Sequence, residues 1–258
     1  MNGVNKTLYI TLYGKSYVSK RGIILEDKTA EDIWEREGFT LKGKSASKWL
    51  AYYMGMRSRV FDDWTADMID KNPGAHVLHL GCGLDSRVNR VNKSCRWFDI
   101  DFPEVITERS KYFTSTDSYT MLSADLSKSG SLGSLSGETA IVIMEGISMY
   151  LTLDELTNLF SELNTRFDKI YLLMDCYSVF AAKMSKIKNP INDVGVTTVY
   201  GLDDPTLLVP SGINYICEHK ITPDHLINEL SGIEKAIFSK LYAGKTSEKL
   251  YKLYEYQK

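Results

Sequence analysis

Several residue types and patterns that mark whole classes of protein are scarce in this chain. Its 258 residues contain four cysteines, four histidines and six prolines, and no apolar run approaches the roughly 18 residues that a membrane-spanning helix needs. No pair of cysteines has the C-x-x-C spacing and no H-E-x-x-H occurs, so the sequence predicts no metal site and free thiols in a reducing compartment. The first residues lack the basic and apolar segments of a signal peptide. We therefore expect a cytoplasmic protein that has no membrane partner.

Neither sign of charge is in excess. The chain has 31 Lys and Arg residues against 33 Asp and Glu residues, for a net charge of -2. Proteins that bind nucleic acid usually carry a basic footprint, whereas Lys183, Lys186 and Lys188 are typical of a solvated helix face. We expect no nucleic-acid partner. The apolar fraction of 43% and the length suit one domain over residues 1–258.

The N-terminal part, residues 1–72, has a helical pattern. Asp27 or Thr29 can cap a helix that runs to Glu37. After Ser45, apolar residues recur at steps of three and four until the sequence Asn-Pro-Gly at 72–74 interrupts them. We predict a helical N-terminal cap on the domain.

From residue 73 to residue 175, short apolar runs alternate with stretches that are long enough for helices. Such alternation is typical of buried parallel strands joined by crossover helices. The sequence therefore predicts an α/β fold with an open parallel sheet, in which residues 73–175 form the cofactor-binding core. The predicted strands are residues 76–80, 95–101, 119–123, 140–145 and 170–175.

The remainder of the chain is less regular. Gly and Pro interrupt residues 176–217, which predicts a lid over the strand ends, with aromatic residues lining an apolar pocket. The aromatic residues are Tyr177, Phe180, Tyr200 and Tyr215. In residues 218–258 we predict a helix that starts near Pro223 and a terminal antiparallel hairpin formed by residues 235–242 and 249–256.

A glycine motif follows the first predicted strand. Gly81 and Gly83 lack Cβ atoms, so the turn between the strand and the next helix can be tight and a ligand can approach its backbone. Free N–H groups at the start of a helix favour an anionic or polar ligand. A G-x-G pattern is weak evidence alone, but its position at the first strand of an alternating pattern strengthens it.

Acidic residues end three of the later strands. Asp101 lies eighteen residues after Gly83 at the end of the second strand, where a carboxylate can accept hydrogen bonds from both hydroxyls of a ribose. Asp99 shares its strand face but lies farther from the carboxyl end, and either acid could instead cap the next helix. Asp125 and Glu145 also end apolar strands, and a buried carboxylate is costly unless it is paired.

Together, these residues resemble motifs of the leucine carboxyl methyltransferase family, which includes the polyketide O-methyltransferases of the tetracenomycin type. The matching stretches are LGCGLDSR at 80–87, DIDFP at 99–103, ADL at 124–126 and EGISMYL at 145–151, with further similarity at 7–33 and 57–62. The resemblance extends over residues 7–175. It implies a Rossmann-like class I methyltransferase with a seven-stranded, mostly parallel sheet, helices on both faces and S-adenosyl-L-methionine as cofactor.

Carried over residue by residue, the resemblance implies how the adenosine part of the cofactor binds. Gly81 and Gly83 match the glycines beside the methionine and ribose portions. Asp101 matches the acid that holds the ribose hydroxyls. Asp125 and Leu126 match the pair at the adenine, where the acid accepts a hydrogen bond from the exocyclic amine.

The resemblance also implies a site for the amino-acid tail of the cofactor. Glu145 matches the acid near its amino group, and Arg57 and Lys15 match the basic residues that pair with its carboxylate, as a zwitterion requires. The implied reaction is direct methyl transfer to a carboxylate or acidic hydroxyl of a small molecule, with S-adenosyl-L-homocysteine as product. Arg57 and Tyr150 are the candidates for contact with the acceptor, and His219 could assist a less acidic hydroxyl.

Three other interpretations stay open at the level of sequence. A nicotinamide-dependent oxidoreductase also needs G-x-G and a ribose-binding acid, although Ser86 stands where a third small Gly or Ala is expected. A non-catalytic module that binds S-adenosylmethionine has the same motifs. A tRNA-modifying relative is disfavoured by the net charge of -2.

Overall fold

A seven-stranded sheet forms the centre of the molecule. The computed structural model describes residues 8–185 and 198–258, so the expectations for residues 1–7, Lys186 and Lys188 lie outside the described residues. The strand order is β3-β2-β1-β4-β5-β7-β6, and β7 runs antiparallel to its two neighbours. The predicted seven-stranded, mostly parallel sheet is therefore confirmed. The strands are β1 His76–Leu80, β2 Arg96–Asp101, β3 Tyr119–Ser123, β4 Gly137–Met144, β5 Phe167–Tyr177, β6 Asn214–Glu218 and β7 Tyr251–Gln257.

Helices precede the sheet and connect its strands. Asp27 caps α2, as predicted, because its carboxylate accepts a hydrogen bond of 2.9 Å from the N–H of Ala30. None of the helices in the described ranges is long and apolar enough to cross a membrane. The helices are α1 Leu8–Lys20, α2 Lys28–Glu37, α3 Lys48–Lys71, α4 Arg87–Val91, α5 Pro103–Arg109, α6 Leu153–Arg166, α7 Val179–Ser185, α8 Asp224–Ile227, α9 Gly232–Leu241 and α10 Lys245–Glu248.

Both faces of the sheet are covered by apolar side chains. In β1, Val77 points into the cluster that contains Phe61 and Trp64 of α3, whereas its neighbour Leu78 points into the cluster that contains Phe160 of α6. Alternate residues of a strand face opposite sides of the sheet. Burial on both sides explains why the strands read as nearly continuous apolar runs.

The predicted terminal hairpin is wrong. Residues 235–241 belong to the helix α9, and the antiparallel partner of β7 is β6, which comes from the predicted lid. Glu234 and Phe238 of α9 both contact Tyr52 of α3. Residues four apart share a face in a strand as well as in a helix, so this spacing fits both. A short apolar run does not distinguish a strand from a helix by itself.

Residues 186–197 of the predicted lid lie outside the described residues, and from residue 205 onward the prediction is wrong. A 3-10 turn over Pro205–Ser211 leads directly into β6, which forms the edge of the sheet. The ring of Tyr215 packs against Tyr254 and Tyr256 of β7, with ring centroids 5.7 and 6.0 Å apart. The aromatic side chain therefore stabilises the sheet edge and does not line a pocket at the strand ends.

Candidate active site

A cavity of about 580 Å³ lies at the edge of the sheet where the parallel strands end. Its walls come from the loops that follow β1 to β4 and from the helices α1 and α3. Ligands of open α/β sheets bind at this carboxyl edge. The cavity does not include His219, which the sequence analysis named as possible assistance for a less acidic hydroxyl and which borders a different cavity. It brings together the residues that the resemblance assigned to the cofactor, with Tyr150: Lys15, Arg57, Gly81, Gly83, Asp101, Asp125, Leu126, Glu145 and Tyr150.

The glycine turn after β1 needs its glycines. Gly81 has a φ of 73°, and a Cβ atom there would lie 2.6 Å from Cδ1 of Ile147. Gly83 has a φ of 52°, also in the left-handed region that favours glycine. The N–H of Gly81 donates to the carbonyl of Ile100 over 2.7 Å, which ties the turn to β2. The turn therefore presents backbone to the cavity at close range.

Asp101 lies at the end of β2 and faces the cavity. Its Oδ2 accepts a hydrogen bond of 2.8 Å from the N–H of Gly83, and its Oδ1 accepts one of 2.7 Å from the N–H of Phe102. Burial raises the pKa of Asp101 to about 6, although these two N–H groups and Arg109 oppose the shift. The carboxylate is fixed by backbone and keeps lone pairs for a ligand.

Asp99, on the same strand, has a different environment. It is fully buried and accepts hydrogen bonds from Arg109, from the Trp97 indole at 2.8 Å and from the Tyr119 hydroxyl at 2.7 Å. Burial opposes its ionisation, but Arg109, His79 and Tyr119 together outweigh burial and hold the pKa of Asp99 at about 2. Arg109 also donates to the carbonyl of Gly83 over 3.0 Å. The buried Asp99–Arg109 pair thus stabilises the glycine turn through the hydrogen bond from Arg109 to Gly83.

The loop after β3 contributes an acid and an apolar residue. Oδ1 of Asp125 accepts from the N–H and the hydroxyl of Ser127, at 3.1 and 2.6 Å. Leu126 is buried and lines the same cavity. An acceptor and an apolar surface therefore lie next to each other on this wall.

At the end of β4, Glu145 forms an ion pair with Arg57 of α3. The Nε and Nη2 atoms of Arg57 each lie 3.0 Å from Oε1 of Glu145. On its other side, Nη1 of Arg57 lies 2.8 Å from the hydroxyl of Tyr251 and 3.1 Å from Oδ2 of Asp175. Burial raises the pKa of Asp175 to about 6, although Arg57 opposes it. Arg57 is therefore held between two carboxyl groups.

A second arginine supports the same carboxylate from beneath the cavity. Arg87 is fully buried, donates to Glu145, and lies 2.6 Å from Oδ1 of Asp62. Lys15 of α1 pairs with Asp85 over 2.7 Å. Burial disfavours the charge on Glu145, but Lys15, Arg57 and Arg87 outweigh burial and hold its pKa at about 2. Glu145 is therefore ionised at neutral pH.

Another part of the cavity wall is aromatic. The ring centroid of Tyr251 lies 4.9 Å from that of Tyr177 and 6.2 Å from that of Tyr53. All three tyrosines line the cavity, and Tyr251 contacts Arg57. Of the four aromatic residues expected to line a pocket, Tyr177 lines this cavity, whereas Phe180 is 63% exposed.

The sequence analysis missed four residues that support the site. Asp175 is the last residue of the predicted strand 170–175, as Glu145 is of the predicted strand 140–145, so the same rule would have found it, although β5 continues to Tyr177. Arg87 and Arg109 lie on the helices that follow the glycine motif and β2, but their sequence positions do not show that they are buried. Tyr251 comes from β7, where no motif pointed to the cavity.

Comparison with known proteins decides the family. The model of the leucine carboxyl methyltransferase family matches residues 10–164, which is more than half of the chain. The chain belongs to this family. It is also similar to the tetracenomycin polyketide synthesis O-methyltransferase TcmP of Streptomyces glaucescens, with 27% identity over 213 residues that cover 81% of this chain and 78% of that protein. The enzyme is an S-adenosylmethionine-dependent methyltransferase, as the resemblance implied.

Solved structures share its fold. An S-adenosylmethionine-dependent methyltransferase from Mesorhizobium loti superposes with a TM-score of 0.54 at 12% identity, covering 76% of this chain and 96% of that chain. Magnesium protoporphyrin IX methyltransferase (ChlM) from Synechocystis was solved with bound S-adenosylhomocysteine. It superposes with a TM-score of 0.52 at 14% identity, covering 89% of this chain and 94% of that chain. The class I methyltransferase fold is therefore confirmed. These findings favour the methyltransferase over the nicotinamide-dependent alternative.

Proposed function

We propose that this enzyme transfers a methyl group from S-adenosylmethionine to an oxygen of a small molecule, either a carboxylate or an acidic hydroxyl. The observation that carries the proposal is that one cavity of about 580 Å³ combines the predicted cofactor residues with a tyrosine-lined wall. Pockets for small molecules measure roughly 300–1,000 Å³. A small-molecule acceptor fits this size better than a folded protein does.

The β1 to β3 part of the cavity suits an adenosine group. Asp101 is held by two backbone N–H groups, and its remaining lone pairs would accept from both ribose hydroxyls. Asp125 would accept a hydrogen bond from the adenine amine, while Leu126 would contact the ring. Gly81 and Gly83 leave the backbone of the turn close to the ligand.

The β4 part suits the amino-acid tail. Glu145 is ionised and would bind the ammonium group of the cofactor, and Arg57 and Lys15 would pair with its carboxylate. Each of the three already has an oppositely charged partner in the protein. The tail would therefore join an existing network in which its two charges find complementary groups.

The chain's own residues would then position the acceptor. Bound S-adenosylmethionine supplies a methyl group that its sulfonium has already activated. Arg57 and Tyr150 are the candidates to hold the acceptor oxygen, and Tyr53 and Tyr177 would exclude water. A carboxylate is ionised at neutral pH and needs no general base. His79 does not suit that role, because it is buried, burial lowers its pKa, and its Nε2 lies 3.3 Å from Nη1 of Arg87.

We also propose a cytoplasmic location and no nucleic-acid partner. The net charge of -2 supports the absence of a basic binding surface. The four cysteines, Cys82, Cys95, Cys176 and Cys217, are all thiols in the structure, which suits a reducing compartment.

The test is transfer of a labelled methyl group to a cell extract that is then separated into small-molecule, protein and RNA fractions. We expect label in the small-molecule fraction. Release of that label by mild base would indicate a methyl ester, and resistance would indicate an ether. Label confined to protein or RNA would contradict the proposal. Binding of S-adenosylhomocysteine without any transfer would favour a non-catalytic binding module.

A further inference from the structure

A cluster of three potential metal ligands lies at the sheet edge, outside the cavity described above. Cys217 is on β6, His219 follows that strand directly, and Glu255 is on β7. The Sγ atom of Cys217 lies 3.5 Å from Nε2 of His219 and 3.6 Å from Oε2 of Glu255. Nε2 of His219 lies 2.5 Å from the same glutamate oxygen. In the described part of the chain, these three side chains form the group of His, Cys and acidic residues whose ligand atoms lie close enough together to bind one ion.

An irregularity of β6 creates the cluster. Tyr215 packs on Tyr254 and Tyr256, and Cys217, two residues later, would face the same side of a regular strand. The register shifts between Tyr215 and Cys217, so that Cys217 lies opposite Glu255 instead. Bulges of this kind redirect side chains. This bulge places the thiol beside the glutamate and the histidine.

We propose that Cys217, His219 and Glu255 bind a zinc ion. In a tetrahedral zinc site the bonds are about 2.3 Å to sulfur and about 2.0–2.2 Å to nitrogen and oxygen. Those lengths place the sulfur about 3.5 Å from the nitrogen and about 3.6 Å from the oxygen. The two distances that involve Cys217 have these values. Nε2 of His219 and Oε2 of Glu255 are at hydrogen-bond distance, so only these two atoms have to move apart for both to bind the ion.

The types of ligand favour zinc over other common ions. A thiolate, an imidazole and a carboxylate form a mixed set that suits zinc, whereas calcium and magnesium prefer oxygen ligands alone. Binding would release the thiol proton of Cys217 and the proton shared by His219 and Glu255. A cavity of about 340 Å³ borders His219, so water or a small ligand can reach the fourth position.

The position of the cluster indicates a stabilising role. Glu255 lies four residues along β7 from Tyr251, about 13 Å away at the rise of an extended strand. An ion there is too far from Arg57 to contact the transferred methyl group. It would instead fasten β6 to β7, next to the bulge. The sequence expectation of no metal site relied on C-x-x-C and H-E-x-x-H, and neither pattern detects ligands from paired strands.

Cobalt substitution tests the proposal on the full-length, metal-stripped enzyme. One equivalent of Co²⁺ should give the visible bands of a tetrahedral site together with a thiolate-to-cobalt absorption in the near ultraviolet. Cys217→Ser should lose the thiolate absorption, and His219→Gln should lose most of the tetrahedral bands. Cys95→Ser is the matched control, because Cys95 is also a partly buried thiol, and it should keep both.

Thermal unfolding gives a second readout. One equivalent of Zn²⁺ should raise the Tm of the wild-type protein and of Cys95→Ser, but not the Tm of Cys217→Ser or His219→Gln. A cooperative transition in each variant shows that it folds. Absence of the thiolate absorption in the wild type, or its retention in Cys217→Ser, would overturn the proposal and leave a His219–Glu255 hydrogen bond as the role of the cluster. The result is independent of methyl-transfer activity.

Discussion

The two ends of the candidate active-site cavity are built by different physical means. At the β1 to β3 end, Asp101 is held by the N–H groups of Gly83 and Phe102. At the β4 end, Glu145 is held by the guanidinium groups of Arg57 and Arg87. One end relies on the backbone and the other on buried charges that neutralise one another.

Because of this difference, substitutions at one end should affect mainly ligand binding, and substitutions at the other end should affect mainly the stability of the protein. A carboxylate that backbone N–H groups orient can be replaced with little effect on the rest of the protein. A buried ion pair loses far more when one partner is removed, because the other charge is left uncompensated. We therefore expect substitutions at the β4 end to lower the free energy of unfolding, and substitutions of Asp101 to lower the affinity for the cofactor.

The largest effect is expected for Arg87→Met. The substitution removes the guanidinium group that Glu145 and Asp62 share and leaves Arg57 and Arg90 as their remaining buried partners. The free energy of unfolding should therefore fall by about 3 kcal/mol, the low end of the range for a broken buried ion pair. Urea denaturation measures the change. Arg59→Met is the control, because Arg59 forms an exposed ion pair with Asp63 and should change stability by less than about 1 kcal/mol. Equal losses of unfolding free energy in the two variants would contradict the claim that buried ion pairs stabilise the β4 end.

Asp99 and Asp101 allow effects on stability and on binding to be compared within one strand, β2. Asp101→Asn should weaken binding of S-adenosylhomocysteine about tenfold or more, because a hydrogen bond to a charged group contributes about 1.5–3 kcal/mol, while stability stays near that of the wild type. Asp99→Asn should mainly destabilise the protein, since Asp99 is the buried partner of Arg109. Calorimetric titration and denaturation of both variants check this. Unchanged affinity in Asp101→Asn would be contrary to the assignment.

Arg57 and Arg59 offer a matched pair on one helix. Arg57→Lys keeps the positive charge but loses the two-point geometry with Glu145, so the affinity for S-adenosylhomocysteine should fall by about tenfold, the equivalent of about 1.4 kcal/mol. Arg59→Lys should bind normally, because Arg59 pairs with Asp63 at the surface. Calorimetry on the two variants decides. Equal affinities would mean that Arg57 does not contact the cofactor.

The smallest effect is a pH dependence of binding. Burial raises the pKa of Asp101 to about 6 in the ligand-free protein. Hydroxyl groups that donate to its carboxylate favour the ionised form and lower that pKa, so binding should release protons near pH 6 and weaken as the pH falls below this value.

Calorimetry in two buffers with different enthalpies of ionisation measures this proton release. The release should decrease in Asp101→Asn. Asp175 also has a pKa of about 6, and any contribution from it would persist in that variant. Proton uptake by the wild type, or the same release in both proteins, would speak against ribose binding by Asp101.

The cavity could be predicted because its signals are local in sequence. An acid that ends an apolar strand is costly without a partner, and parallel strands bring their carboxyl ends to one edge. Asp101, Asp125 and Glu145 could therefore be placed together before the structure was known. The glycine motif indicated at which edge of the sheet to expect the ligand.

The supporting contacts could not be predicted because they join distant parts of the chain. Arg109 carries no sign in the sequence that it is buried against Asp99 or that it donates to Gly83. Tyr251 reaches Arg57 only because β7 inserts between β5 and β6. The β6–β7 pairing itself was missed, since turn residues between two short apolar runs also suit a hairpin.

The most direct test of the account is a crystal structure of the enzyme with S-adenosylhomocysteine. We expect both ribose hydroxyls within hydrogen-bond distance of the Asp101 carboxylate, the adenine amine beside Asp125, and the amino-acid tail between Glu145 and Arg57. A ligand bound in the reverse direction, or ribose hydroxyls that contact neither oxygen of Asp101, would contradict the proposed roles of the two ends.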